Sequence, residues 1–165
     1  MVSVPEVSDV RALPVSLTTV VAEEHVDANG HLNVRHHMAL HDDGGWAFYA
    51  DLGYSAEEIE AERRNFFDLE HHVRYLNEAR LGEQVAVHHR LLGRTDKALH
   101  VMSYLVNEST GELASTLELV TLLVDLDTRR PTALDTSAAA AIDTRLAADR
   151  ALGWDAGAGG ALGLR

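Results

Sequence analysis

Hydrophobic and polar positions change period once along the chain. From Asn33 to about Leu52 they recur at helical spacing, with Met38, Leu40 or His41, Trp46 and Tyr49 along one broad face, so a long helix is predicted. Gly53 stops it, and Ser55-Ala56-Glu57-Glu58 is a capping-box signature that opens a short second helix. Upstream, Leu17–Glu24 is rich in β-branched residues and strand-like, and His25–Leu32 is turn chemistry centred on Asn29-Gly30. Beyond the second helix the period drops to two. Asn65–Glu78 alternates with Phe67, Leu69, His71, Val73 and Tyr75 on one face, and Gln84–Arg94 with Val85, Val87, His89 and Leu91. Ala98–Asn107 and Leu113–Asp127 follow, joined by a short Gly-containing hairpin turn. Asp135-Thr136-Ser137 then caps an Ala-rich helix that ends near Gly153.

A strand, a turn and a long helix thus precede four strands joined by short connections. Such connections make hairpins and disfavour a doubly wound parallel sheet. The expected class is α+β, an antiparallel sheet wrapped around one long helix in the manner of a hotdog fold. This domain spans residues 17–135, followed by a C-terminal helix over 136–153. Residues 1–16 hold two of the three prolines and no clear periodicity, and read as an N-terminal arm. From Trp154 onward the chain is mostly Gly and Ala, which reads as a flexible tail over 154–165.

Composition narrows the function. The 165 residues are one domain's worth of chain, with 46% hydrophobic and 24% charged residues, as in an ordinary soluble protein. No apolar run reaches the roughly 18 residues of a membrane span, and residues 1–16 lack the apolar core of a signal peptide. A cytoplasmic location is expected. The absence of cysteine removes disulfides, thiolate metal sites and thiol nucleophiles together. A net charge of −12 argues against nucleic acid as a partner. It is compatible with one phosphorylated ligand, because a few clustered arginines override the global field locally.

The densest group of chemically capable residues is Asp27-Ala28-Asn29-Gly30-His31-Leu32-Asn33. A carboxylate sits on a tight turn that runs into the start of the longest helix. Helix N-termini leave unpaired N–H groups with partial positive charge, suited to the oxyanion that develops in acyl transfer. Asp27 is then placed to activate water or to attack a carbonyl itself. Gly30 lets a substrate approach the backbone closely, having no Cβ. The plain alternative is that Asp-x-x-Gly is a common turn and that Asp or Asn before a helix is a cap.

The stretch Glu24-His25-Val26-Asp27-Ala28-Asn29-Gly30-His31-Leu32-Asn33 resembles the signature of hotdog-fold acyl-CoA thioesterases of the 4-hydroxybenzoyl-CoA thioesterase superfamily. It is most similar to the betainyl-CoA thioesterase branch, whose turn reads Asp-Tyr-Asn-Gly-His-Met-Asn. The likeness continues through Asp42, Phe67-Asp68-Leu69-Glu70-His71-His72-Val73-Arg74-Tyr75-Leu76 and Arg80-x-Gly82-Glu83. It extends to Leu99-His100 and Thr110-Gly111-Glu112-Leu113-Ala114-Ser115-Thr116-Leu117-Glu118, covering roughly residues 17–127. The resemblance implies hydrolysis of a small acyl-CoA, with Asp27 as nucleophile or general base and the N–H groups of Gly30, His31, Leu32 and Asn33 polarising the thioester. It also implies a homodimer or homotetramer with the site at a subunit interface, which Glu70 and His72 would reach from the partner. The branch usually carries aromatics after the Asn, where this chain has His36 and His37. An aromatic wall suits a quaternary ammonium, so the resemblance extends to the chemistry and leaves the acyl group open.

Other residues complete the expectation. Asp42 reads either as a second active-site carboxylate reaching from the helix or as a plain structural acid; buried near Asp27 it would raise one of the two pKa values. Arg74, Arg80, Arg90, Arg94 and Lys97 are candidate grips for the CoA phosphates. His37 and His41 stand four apart, a metal-sharing spacing, yet no third ligand follows at fixed spacing and no metal is expected. The other histidines read mostly as surface or interface residues. No separate cofactor is expected, CoA being part of the substrate. Two rival readings remain: a non-catalytic acyl-ligand-binding module, and an enoyl-CoA hydratase. The hydratase type typically shows Asp-x-Asn-Pro-x-His, and this chain lacks that proline.

Overall fold

A computed structural model describes residues 3–164. A short helix α1 (Val7–Val10) leads into β1 (Val15–Val20), and a 3-10 turn (Glu23–His25) and the 26–32 loop precede α2 (Val34–Asp51). Then come α3 (Ala56–Glu62), β2 (Arg64–Tyr75), β3 (Gln84–Arg94), β4 (Ala98–Asn107), β5 (Glu112–Asp125), a two-residue β6 (Arg130–Pro131) and α4 (Thr136–Arg150). The caps stand where the sequence places them. Asn33 accepts from the Arg35 N–H, Ser55 and Glu58 form a reciprocal capping box, and Asp135 accepts from the Ala138 N–H.

All strand pairs are antiparallel, in the order β1-β3-β4-β5-β2, with β6 on the free side of part of β5. Register breaks interrupt every pair of long strands, between Val15 and Leu17, Asp68 and Glu70, Leu91 and Gly93, and Leu105 and Val106. Each such break adds local twist, so the sheet curls around α2. This is the hotdog architecture in the α+β class.

The buried face of α2 is His37, Leu40, His41, Gly44, Gly45 and Phe48. It differs from the expected stripe in one residue above all: Trp46 points outward and is 52% exposed. Gly44 explains how closely the helix seats on β3. A Cβ there would stand 2.7 Å from Val87 Cγ1, so the helix gives up propensity to gain approach. Toward the start of α2 the core holds Leu32, Leu40, Val85, Val87 and Leu105; toward its end it holds Phe48, Leu91, Leu99, Leu119 and Leu123. Ile142 and Leu146 of α4 close that far end.

Both chain ends differ from expectation. The arm is anchored, with Val10 and Leu13 buried against Met102, Tyr104 and Val106 on the outer face of the sheet. The segment after Trp154 lies across the same face. The Trp154 ring sits 4.0 Å from the Arg90 guanidinium, Tyr104 donates to the Ala156 carbonyl, and the Gly159 N–H donates to Glu118. Its small residues pack close to the sheet rather than leaving the tail loose. Among the described residues, no helix is long and apolar enough to cross a membrane.

Candidate active site

Asp27 sits in a loop that the sequence ties at several points. The Gly30 N–H donates to the Asp27 carbonyl with Gly30 at φ +82°, and the loop is bridged at Val26–Leu32 and His31–Arg80. The positive φ is the reason for glycine at this position. Asp27 Oδ1 accepts from the Asn29 N–H at 2.8 Å, and Oδ2 accepts from Asn33 Nδ2 at 2.8 Å. These two donors, Asn29 first, hold the carboxyl below the usual range, with His31 nearby adding to the effect. Asn33 therefore serves two ends: its amide fixes Asp27 while its carbonyl oxygen caps α2.

The expected oxyanion amides are mostly spent. The N–H groups of Gly30, Leu32 and Asn33 donate to Asp27, Ala79 and His25 carbonyls. Among these four residues only the His31 N–H lacks such an acceptor among the described residues.

Alongside this loop a seam runs the length of α2. The helix lies mainly over β1, β3 and β4 and meets β2 through His37 against Tyr75 and Tyr49 against Phe66, with an opening between these two contacts. Near the helix start the seam opens as a cleft of about 270 Å³ lined by His31, Val34, His37, Tyr75 and Asn77. Midway it deepens to a pocket of about 340 Å³, walled by Met38, Ala39, Leu117 and Leu119 with Arg35, Asp42, Tyr49, Asp68 and His71 at its polar side. It continues past Trp46 to Tyr54 and Phe66.

Asp42 belongs to this middle pocket, not to Asp27. Nine residues of helix separate it from Asn33, about 13 Å of rise, and its carboxyl is pushed up by burial and then by Asp68 and Asp43. Asp68 in turn bonds His71 Nε2 at 2.8 Å, which raises the basicity of that imidazole. The bulge after Asp68 creates this pair: it leaves Leu69 unpaired and puts Asp68, His71, Val73 and Tyr75 on the concave face. For the same reason Glu70 and His72 face outward, opposite α2, where His72 lies 3.7 Å from Glu118. The expected continuous face from Phe67 to Tyr75 is broken there, and Glu70 does not look toward α2.

The five candidate phosphate grips do not converge. Arg80 lies beside His31 and its guanidinium pairs with exposed Glu78. Arg74 donates to the Ser3 carbonyl. Arg90 is buried and donates to the Asp149 and Trp154 carbonyls, and Arg94 is locked bidentately to Asp143 of α4. Lys97 sits on the β3–β4 turn, near the end of α2 remote from Asp27.

The histidines also depart from expectation. His37, His41, His88 and His89 are buried. Ser115 Oγ lies 2.9 Å from His37 Nδ1 and 3.0 Å from His41 Nε2, while His41 Nδ1 is 2.7 Å from Ser103 Oγ. The His37–His41 pair thus engages hydroxyls, and no group of three metal-ligating side chains occurs among the described residues.

A family model described as the thioesterase-like superfamily matches residues 20–142. This chain belongs to the thioesterase-like superfamily. It is 31% identical over 146 residues to a betainyl-CoA thioesterase of Pseudomonas aeruginosa, covering 88% of this chain and 92% of that protein. It is 31% identical over 118 residues to an L-carnitine dehydrogenase/betainyl-CoA thioesterase of Agrobacterium fabrum, covering 72% of this chain but 24% of that longer protein. A Staphylococcus aureus protein solved in complex with CoA superposes with TM-score 0.81 at 27% identity, over 93% of this chain and 97% of that one. A Synechocystis 1,4-dihydroxy-2-naphthoyl-CoA thioesterase, at 11% identity and TM-score 0.67, covers 77% of this chain and 93% of its own and shares the fold.

Within this thioesterase, sequence reading passed over Arg35, Asp68, His71 and Tyr49, which line the seam. The helical spacing Arg35, Met38, Asp42, Gly45, Tyr49 was a signal for one shared face. Nothing local marked the bulge that brings Asp68 and His71 opposite it.

Proposed function

We propose that this acyl-CoA thioesterase hydrolyses a small acyl-CoA to the free acid and CoA, using Asp27 as its catalytic carboxylate. The observation that carries the reading is the Asp27 carboxylate, held ionised by Asn29 and Asn33 at the start of α2, in the loop whose His31 and Leu32 line the open cleft. An ionised carboxylate there is at hand either to attack the thioester carbon, expelling the CoA thiolate, or to take a proton from an attacking water. Neither route calls on a metal or prosthetic group. The middle pocket, about 340 Å³ with apolar walls, suits a small acyl group. Arg35 at its mouth and Arg80 beside His31 are the cations placed to meet the CoA phosphates. That the P. aeruginosa relative is a betainyl-CoA thioesterase supports a short acyl chain.

A homodimer fits the uncovered edge of the sheet. Strand β2 exposes Phe67, Leu69 and Tyr75 along a twelve-residue edge, the kind of edge that a second strand covers. A partner joined there closes the seam from its open side.

The test is thiol release from a panel of short, branched, aromatic and cationic acyl-CoAs, comparing wild type with Asp27→Asn. A loss of about 10³-fold in kcat with an unchanged melting temperature supports the reading. Undiminished turnover in Asp27→Asn overturns it, and inactivity of the wild type on every member shifts the reading to a binding module.

A further inference from the structure

With three of the four loop amides engaged, the seam needs another donor for the thioester oxygen. The buried chain Ser103–His41–Ser115–His37 supplies one, and hydrogen-bond bookkeeping fixes its direction. Ser103 is fully buried, and among the described residues its hydroxyl has one partner, His41 Nδ1. If His41 Nδ1 carried the proton, the Ser103 hydroxyl proton would be left with no acceptor, a costly orphan in the core. Ser103 therefore donates to His41 Nδ1, and the neutral imidazole carries its proton on Nε2. That N–H donates to Ser115 Oγ, and the Ser115 hydroxyl donates in turn to His37 Nδ1. The His37 proton is then on Nε2. His37 lines the cleft beside His31, with Tyr75 edge-on at 5.1 Å.

We propose that the His37 Nε2–H is the side-chain donor that binds the thioester carbonyl oxygen as negative charge develops on it. The inference rests on the thioesterase reading above and adds a second catalytic residue to it. No proton is transferred in this step: the imidazole stays neutral and stabilises the oxyanion by a fixed dipole. Neutrality is secured by burial, which pushes His37 down to about 4 and His41 down to about 3. Ser115 and Ser103 act through His37 as positioning residues. Their hydroxyls set which ring nitrogen faces the cleft, as second partners of an imidazole generally do.

The chain can be read directly. Long-range proton–nitrogen NMR spectra of the wild-type protein at pH 7 should show both His37 and His41 neutral, with the proton on Nε2. His37 protonated on Nδ1 instead overturns the proposal, whatever the variants do. In kinetics, His37→Ala is expected to lower kcat about 10²-fold while KM moves less than about threefold. Ser115→Ala, which keeps the imidazole but removes the hydroxyl that orients it, is expected to lose about tenfold in kcat and to shift the His37 nitrogen signals toward mixed tautomers. Wild-type kcat in a folded His37→Ala overturns the proposal and leaves Asp27 untouched. Should His37→Ala fail to fold, the wild-type tautomer decides. Activity retained in Asp27→Asn strikes instead at the reading on which the proposal rests.

Discussion

Both faces of the sheet bury histidines, and they do so by opposite means. On the outer face His100 Nε2 bonds Glu118, His72 stands close by, and the Gly159 N–H occupies the other carboxylate oxygen. A carboxylate buried this deeply needs such partners, and the C-terminal segment supplies one of them from above. On the concave face the ring nitrogens of His37, His41 and His89 bond serine hydroxyls, and His37 also lies near the Leu32 carbonyl. They stay neutral, and the chain through His41 and His37 ends at an open cleft. A cluster in which one buried carboxylate collects several partners works as a clamp. A neutral hydroxyl-linked cluster that reaches a cleft at His37 is placed to act on a ligand.

Acidification gives the largest contrast. His37, His41 and His89 are lowered to about 4, 3 and 3, chiefly by burial. The unfolded chain binds protons at these positions below about pH 6.5 while the folded chain does not, so stability falls as pH falls. Between pH 5.5 and 4.5 the loss is about 4 kcal/mol, roughly 1.4 per histidine. Urea midpoints at pH 7, 5.5 and 4.5 measure it, and a flat profile would mean that these imidazoles are not neutral in the folded protein.

Removing residues 153–165 attacks the other face. It strips Trp154 and Ala156 from Tyr104 and takes the Gly159 donor from Glu118. We expect about 3 kcal/mol of destabilisation, read by denaturant titration, with kcat retained below the new melting point. A matching loss of kcat would show that the outer cluster communicates with the site.

Smaller effects sharpen the assignment of the cations. Arg35→Ala and Arg80→Ala should each raise KM for an acyl-CoA about fivefold with kcat held. Arg94→Ala, remote and paired with Asp143, should leave KM unchanged. Initial-rate kinetics on the three variants separates them. Smallest is Asp68→Asn: it replaces the carboxylate whose hydrogen bond and charge raise the His71 pKa with a neutral amide, so the titration of that imidazole, followed by NMR, moves down. Stability changes by less than about 1 kcal/mol, because both side chains are partly exposed.

Much of this was legible in the chain. Asn33, Ser55 and Asp135 announce their helices because capping is a local hydrogen-bond rule, and β3 and β4 stand at their predicted limits because alternation is a local steric one. The Asp27 turn was legible for the same reason. The distance of Asp42 from Asp27 was not legible, because a motif read along the chain says nothing of the roughly 13 Å of helix rise between Asn33 and Asp42. Arg90 and Arg94 were offered to the substrate because their partners, Asp149, Trp154 and Asp143, lie some fifty residues away.

The sequence by itself determined the elements, their order, the antiparallel hairpins and the carboxylate at the start of the long helix. All of these depend on interactions within a few residues. Only the tertiary structure decided which side of β2 faces α2, which cations are spent inside the protein, and that Ser103, His41, Ser115 and His37 form one chain. Those outcomes turn on one extra residue in a strand register and on hydroxyls brought within 3.0 Å of imidazoles more than sixty residues away, where no periodicity reaches.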